Sequence, residues 1–307
     1  MQAEGLGGDK CRTGTVGDKV IWSCGDMQCG NGTACGFSMG PAFYGSDDVM
    51  TINTDSITDV GDYTFATAWN KDPLPVAPQK QFGMDTSNVV EINSTHGVAF
   101  VWEIWRGASD SSIVDRGAGA VSVTLGSTKP IATRVGPLLS NGTALQLGLI
   151  AIMRADKYVY VYSAGGPSGV NVARVAASDD VFDASKYEFL VKDTQTWEAP
   201  GQIPDKTETR YGLTTQDSSG KFGCLVYGSA FYNADWDKYV ILCNAYLSFT
   251  MMYVADKPEG PFSATYPVLN EFPGYGSHAH PHYGLNPLYF SLGPDGPFSM
   301  FKMTFKF

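Results

Sequence analysis

Charge is what this 307-residue sequence has least of: Asp, Glu, Lys and Arg make up 17% of it, against roughly 25% in an average soluble domain. So low a charge density argues against a disordered chain or a coiled coil. No apolar run reaches the roughly 18 residues that a membrane-spanning helix needs, which excludes one. Basic clusters are missing too. The 21 Lys and Arg residues are scattered among 31 Asp and Glu, leaving a net charge of −10. Phosphate-backbone binding needs concentrated positive charge, so nucleic acid is not an expected partner. Helical periodicity is nearly absent; the best candidate, residues 178–191, is short and broken by β-formers. No zinc-ribbon or haem spacing occurs. The opening Met-Gln-Ala-Glu-Gly lacks the basic and apolar regions of a leader and is expected to be a mature N-terminus behind an added methionine.

Present instead are 35 glycines, 17 prolines and 13% aromatic residues. They fall as short β-branched and aromatic runs between Gly, Asp, Asn and Pro turns, for example at 63–69, 98–105, 145–153, 158–162, 239–245 and 288–292. One phrase recurs: Gly17-Asp18-Lys19-Val20-Ile21-Trp22, Ala155-Asp156-Lys157-Tyr158-Val159-Tyr160 and Trp236-Asp237-Lys238-Tyr239-Val240-Ile241. Each reads as a tight turn feeding a strand, one hairpin type reused in successive sheets. Meanders at this density fit a β-propeller better than a two-sheet sandwich, and at roughly 60 residues per four-stranded blade five blades fit the length. No linker-like shift in composition divides the chain. Residues 1–307 are therefore expected to form a single all-β domain, a five-bladed β-propeller.

Six cysteines (Cys11, Cys24, Cys29, Cys35, Cys224 and Cys243) and three Asn-x-Ser/Thr sequons (Asn31, Asn93 and Asn141) point to a secreted, disulfide-bonded glycoprotein. The first hairpin constrains one pairing. With Gly17-Asp18 as its two-residue loop, Cys11 falls opposite Cys24 and Asp9 opposite Asp26. Both pairs are expected at non-hydrogen-bonded positions, where Cα atoms approach to about 4.5 Å, within disulfide range. Cys224 and Cys243 flank a turn at 232–235 and are expected to face each other across it. Cys29 and Cys35 would then close the small loop that carries Asn31.

Residues two apart on a strand share a face, so Asp9 and Asp26 should sit beside the Cys11–Cys24 bridge. Like charges directly opposite each other destabilise a sheet unless they splay apart, bind a cation or are used. Two carboxyl groups about 5–5.5 Å apart are the arrangement of a retaining glycosidase. Crowding raises the pKa of one and leaves the other ionised, which divides the roles. Asp26, ending a well-defined strand, is expected to be the nucleophile, and Asp9 the acid/base. The bland alternative is a turn aspartate and a wrong register.

The stretch from Gly8-Asp9 through Ile21-Trp22-Ser23-Cys24-Gly25-Asp26 resembles the first-blade signature of secreted propellers in domain-of-unknown-function family 4185. The resemblance continues at residues 158–166, at Val172-Ala173-Arg174-Val175, at 184–188 with Trp197, at 258–262 and at His280-Pro281. Some members of that family are endo-D-arabinanases of glycoside hydrolase family 183 that use two first-blade aspartates. The resemblance implies that Asp9 and Asp26 are those residues and that the substrate is a D-arabinan-like furanoside polysaccharide or oligosaccharide. The sequence departs from the family at Cys24, where an aromatic is usual, and in the Cys-rich stretch 27–36.

Other constellations compete. His278, His280 and His282 would face one way in an extended strand, the arrangement that ligands of a structural cation take; no other cofactor is expected, and His280 alone could bind sugar or orient an acid. Gly36-Phe37-Ser38-Met39-Gly40 matches a nucleophile elbow, but no helical run follows it. Glu103, among Trp102, Trp105 and Arg106, is an alternative acid or a substrate contact. Trp69, Trp102, Trp105 and Trp197 could stack on sugar rings or pack between blades, and Arg174 could bind a sugar hydroxyl or form an ion pair. The expected function is retaining hydrolysis of a furanoside polysaccharide by a secreted, monomeric enzyme. The alternative is a non-catalytic, lectin-like glycan-binding propeller, which would carry one pocket per blade rather than one acidic cleft.

Overall fold

The computed structural model describes residues 6–29, 37–53, 60–67, 71, 81–107, 113–165, 167–217, 219–224, 227–245, 247–293 and 299–306. Strands β1 (Leu6–Gly8), β2 (Cys11–Val16), β3 (Lys19–Cys24), β4 (Asp26–Cys29), β5 (Phe37–Met39), β6 (Ala42–Gly45) and β7 (Ile52–Asn53) make two sheets. The order β2-β3-β6-β7 is blade one, and β1-β4-β5 is a small sheet continuing from its upper edge. Blade two contains β8 (Gln81–Thr86) and β9 (Val90–Asn93), which together line β10 (His96–Arg106), followed by β11 (Val114–Leu125) and β12 (Pro130–Arg134). Blade three is β13 (Ala151–Ala155), β14 (Tyr158–Ala164), β15 (Val170–Ala176), β16 (Glu188–Leu190) and β17 (Trp197–Glu198). Next come β18 (Gly228–Asn233), β19 (Lys238–Asn244), β20 (Ser248–Ala255), β21 (Tyr266–Ala279), β22 (Leu288–Gly293) and β23 (Ser299–Met303). The long β21 serves two blades: its first half pairs with β20 as the outer strand of blade four, and its second half pairs with β22 as the inner strand of blade five.

The innermost strands touch in a closed ring, β2 to β9, β9 to β13, β13 to β18, β18 to β21 and β21 back to β2. The all-β, five-bladed propeller is thus observed. Residues 178–191 are not a helix but two short 3-10 turns, Asp179–Phe182 and Ala184–Lys186, and β16. Five apolar clusters fill the five seams between blades. Side chains alternate across a strand, so a blade strand packed on both faces must be apolar throughout. In β10, Val98, Phe100 and Trp102 face blade three, whereas Ala99 and Val101 face blade one. That is why this run shows no polar alternation.

The recurring phrase marks the turn from inner to second strand in blades one, three and four. Gly17, Asp156 and Asp237 take the left-handed backbone there, with φ of 57°, 51° and 53°. The loop has two residues in blades one and three and four in blade four. The predicted first-hairpin register holds, and Cys11 and Cys24 are bonded with Cα atoms 3.9 Å apart. Cys224 and Cys243 are also bonded, but not as cross-strand partners: Cys243 pairs with Gly228, and Cys224 reaches it from the segment before β18. Cys35 and Asn31 lie outside the described residues, as does the side chain of Cys29, so that loop is not assigned. Among the described residues, no helix is long and apolar enough to cross a membrane.

Candidate active site

All five inner strands run from one mouth of the ring to the other, and the residues that lead into them meet at the first mouth. Asp9 and Lys10 precede β2, Asp85 lies near the end of β8, Gln146 and Leu149 precede β13, and Tyr227 precedes β18. With Asp26, Met39, Met84, Trp102, Ile104 and Arg106 they line a cavity of about 200 Å³. A larger cavity of about 350 Å³ opens at the opposite mouth, but Glu91 is its one carboxylate among the described residues. The chemistry therefore concentrates in the smaller cavity.

Asp9 and Asp26 do come together, by a route slightly different from the expected one. The pairing register of the hairpin runs on past Cys11 and Cys24 into Gly8 opposite Met27. Between these stretches the ladder bends, and the Asp9 N–H donates to the Asp26 carbonyl at 3.0 Å. A simple continuation would have left that pair non-hydrogen-bonded. Each carboxylate has a different environment. Asp26 accepts from Arg106 Nη1 at 2.9 Å. Burial nevertheless raises its pKa; Arg106 opposes the rise, and the negative charges of Asp9 and Asp85 add to it. Asp85 accepts from the buried Lys10 Nζ at 2.6 Å, and the Tyr227 hydroxyl lies 3.4 Å from the same oxygen. Burial alone would pull the Lys10 pKa down, but the attraction of Asp85 leaves it raised. Lys10 Nζ also stands 3.9 Å from the centre of the Tyr227 ring. Three carboxylates thus share one cavity with two cations that are bonded to two of them.

The other sequence candidates are dispersed. Trp102 lies in the cavity wall, 3% exposed, and donates Nε1 to the Leu147 carbonyl at 3.0 Å. Glu103 points away from the cavity, fully buried within blade two, with Arg134 at 3.6 Å and Arg116 at 3.8 Å. Trp105 packs beneath the Arg116 guanidinium. Arg174 sits on the outer strands of blade three, between Tyr158 and Trp197 and paired with Glu188 at 2.7 Å. Trp69 lies outside the described residues. Ser38 is buried on a strand, within hydrogen-bond distance of the Thr64 hydroxyl, with Gly40 and a bridge residue after it rather than a helix.

Of the three histidines, His278 and His280 fall on one face of the ladder with β22, and His282 leaves it. His278 is in β21, with Nδ1 2.9 Å from the Gly228 carbonyl. His280 follows that strand, buried between Thr13 and Ser291 with its ring 4.4 Å from Trp22. His282 lies on the exposed turn Pro281–Tyr283 at the opposite mouth. Among the described residues no three His, Cys, Asp or Glu side chains gather as a metal cluster. Asn93 and Asn141 stand on exposed turns, each Oδ1 accepting from the backbone N–H two residues on, at Thr95 and Thr143.

Lys10, Asp85, Gln146 and Tyr227 carry no motif. Lys10 adjoins Asp9 in the sequence, and nothing there marks Asp85, Gln146 or Tyr227.

Known structures share this architecture. A Bacteroides ovatus protein provisionally described as a hydrolase superposes with a TM-score of 0.66 at 14% identity, covering 94% of this chain and 80% of that one. RS223 β-xylosidase gives 0.52 at 14% identity, covering 97% and 92%. A GH43 β-xylosidase/α-arabinofuranosidase from a compost microbial metagenome, solved with xylotriose in a calcium-free form, gives 0.50 at 12% identity, with the same coverage. At these identities the likeness is one of fold. No protein-family model matches the sequence, and no curated protein matches it either.

Proposed function

We propose that this propeller is a secreted retaining glycoside hydrolase acting on a furanoside polysaccharide, D-arabinan-like by resemblance, with Asp9 and Asp26 as the catalytic pair. The observation that carries this reading is the backbone-paired couple of aspartates lining one small cavity at the mouth of the ring. Cross-strand neighbours on one face place their Cβ atoms about 4.5–5.5 Å apart, which suits the close carboxyl separation of a retaining mechanism. Propeller glycosidases of the same fold, and the short-range disulfide beside the pair, support it.

The environments reverse the division of roles expected from the strand positions. Asp26, whose proton is retained by burial and by the neighbouring charges of Asp9 and Asp85, suits the acid. It protonates the glycosidic oxygen while the Asp9 carboxylate attacks the anomeric carbon and the leaving sugar departs. Asp26, now ionised, takes a proton from water, which displaces Asp9 and frees the second product. Arg106 opposes that rise and so stabilises the ionised form of Asp26 that the second step needs, and Asp85, held by Lys10, supplies negative charge beside it.

The test is incubation with D-arabinan, L-arabinan and fructan, followed by product analysis, for the wild type and Asp26→Asn. Release of furanose oligosaccharides by the wild type and a fall of at least about a thousandfold in the variant are expected, the scale lost when a catalytic group is removed. Full activity in Asp26→Asn would eliminate the mechanism. Binding without release from any furanan would favour the lectin-like reading.

A further inference from the structure

At the floor of the acid cavity the axis of the propeller is filled by a side chain. Arg12, on the innermost strand of blade one, is 2% exposed. Its Nη1 donates to the Thr86 carbonyl of blade two at 3.1 Å, and its Nη2 donates to the Leu149 carbonyl, at the entry to blade three, at 2.8 Å. Its Cζ stands 5.1 Å from the ring centres of both Trp102 and Tyr227. A buried guanidinium is usually paired with a carboxylate. Here carbonyl oxygens and aromatic faces meet the charge, while Asp85, the acid that acts on Arg12 from a distance, is bonded to Lys10.

Converging carbonyls, an acid and an imidazole are also what an axial metal ion would use. The imidazole is that of His278, fully buried on β21. Its Nδ1 faces the Gly228 carbonyl, and its Nε2 has no hydrogen-bond partner among the described residues. That nitrogen lies beside Lys10: a Cβ built on Gly276 would be 2.9 Å from Lys10 Cβ and 3.6 Å from His278 Nε2. A divalent ion in this place would be pressed against two buried cations, with Asp85 already committed to one of them. The donor set therefore does not fit a metal ion.

We propose that Arg12 is the axial cation of this propeller: its guanidinium ties blades one, two and three together at the centre, and the axis takes no divalent metal ion. This replaces the structural cation expected near His278, His280 and His282, and it is independent of what the acid cavity cleaves.

Thermal unfolding of the purified chain in millimolar EDTA and in millimolar calcium chloride is the first measurement. The same Tm in both is expected; a Tm raised by calcium or lowered by EDTA overturns the assignment. Arg12→Met keeps much of the stem but leaves the Thr86 and Leu149 carbonyls without their charged donor, and it should lower Tm by roughly 5–10 °C. An unchanged Tm would overturn the assignment. Arg12→Lys, whose single ammonium cannot reach both carbonyls in a fork, should recover less than half of that loss. In Arg12→Ala, millimolar guanidinium chloride should raise Tm where sodium chloride at equal concentration does not; equal responses count against a charge-specific role. If no variant folds, the wild-type comparison still decides.

Discussion

Arg106 should set the pH at which Asp26 works, and its removal distinguishes the two possible roles of that aspartate. Arg106→Met keeps the apolar stem and deletes the charge. At the observed 2.9 Å separation, an effective dielectric near 20 would give roughly 6 kcal/mol of attraction. Both side chains are more than a quarter exposed, at 28% and 29%. Solvent screening then reduces the interaction to about 1–2 kcal/mol. That is about a tenfold shift in the ionisation equilibrium of Asp26 toward the protonated form. If Asp26 is the acid, activity is lost as pH rises through its ionisation. The alkaline limb of kcat/KM against pH should then move to higher pH in the variant, with the acid limb in place. If Asp26 is the nucleophile, activity is lost as pH falls through the same ionisation, and the acid limb should move up instead. The assay is kcat/KM across the pH range on the best furanoside found. Movement of the acid limb alone would refute the role division proposed above. Two unmoved limbs would refute control of Asp26 by Arg106.

Stability should fall on mild acidification because His278 and His280 are buried as neutral imidazoles. Burial lowers His280 to about 3 and His278 well below its usual value, with Arg12 and Lys10 adding to the second shift. Unfolded imidazoles, near pKa 6.5, accept protons that the folded ones refuse, so this stabilisation is complete above about pH 6.5 and declines below it. At pH 5 the loss is on the order of 2 kcal/mol per histidine. Denaturant midpoints between pH 5 and 7 measure it, and a flat profile would contradict the burial argument. Gly14→Ala should cost at least about 2 kcal/mol by the same assay, because its Cβ would meet the Val89 carbonyl oxygen of blade two at 1.8 Å. A loss within about 0.5 kcal/mol would mean that blades one and two do not approach so closely.

Much of the fold was legible because a propeller is built from local hairpins. Each recurring turn joins neighbouring strands, and a strand buried on both faces announces itself as a continuous apolar run, as residues 98–102 do. The Cys11–Cys24 bridge and the juxtaposition of Asp9 with Asp26 followed from one two-residue loop, since a hairpin register propagates from its turn. The error at Cys224 has the same origin: a turn specifies partners only along its own ladder, and Cys224 joins from outside it. The expectation of three histidines on one face held for His278 and His280, whose ladder with β22 continues to Tyr289, and failed at His282, because the chain leaves the strand at Pro281 for a 3-10 turn.

The remainder of the site is a property of ring closure. Lys10 and Asp85 are 75 residues apart in sequence, Asp26 and Arg106 are 80 apart, and Tyr227 and Asp85 are 142 apart. No local pattern relates positions on different blades; they meet because inner strands converge on one axis. By itself the sequence determined the strand class, the blade-sized repeats and the first hairpin with its aspartate pair, all governed by side-chain alternation and turn geometry. Only the tertiary structure decided which charges surround that pair, that Glu103 and Arg174 belong to other ion pairs, and that a guanidinium occupies the axis. Burial and charge proximity, which set the ionisation of Asp26, exist only once the five blades have closed.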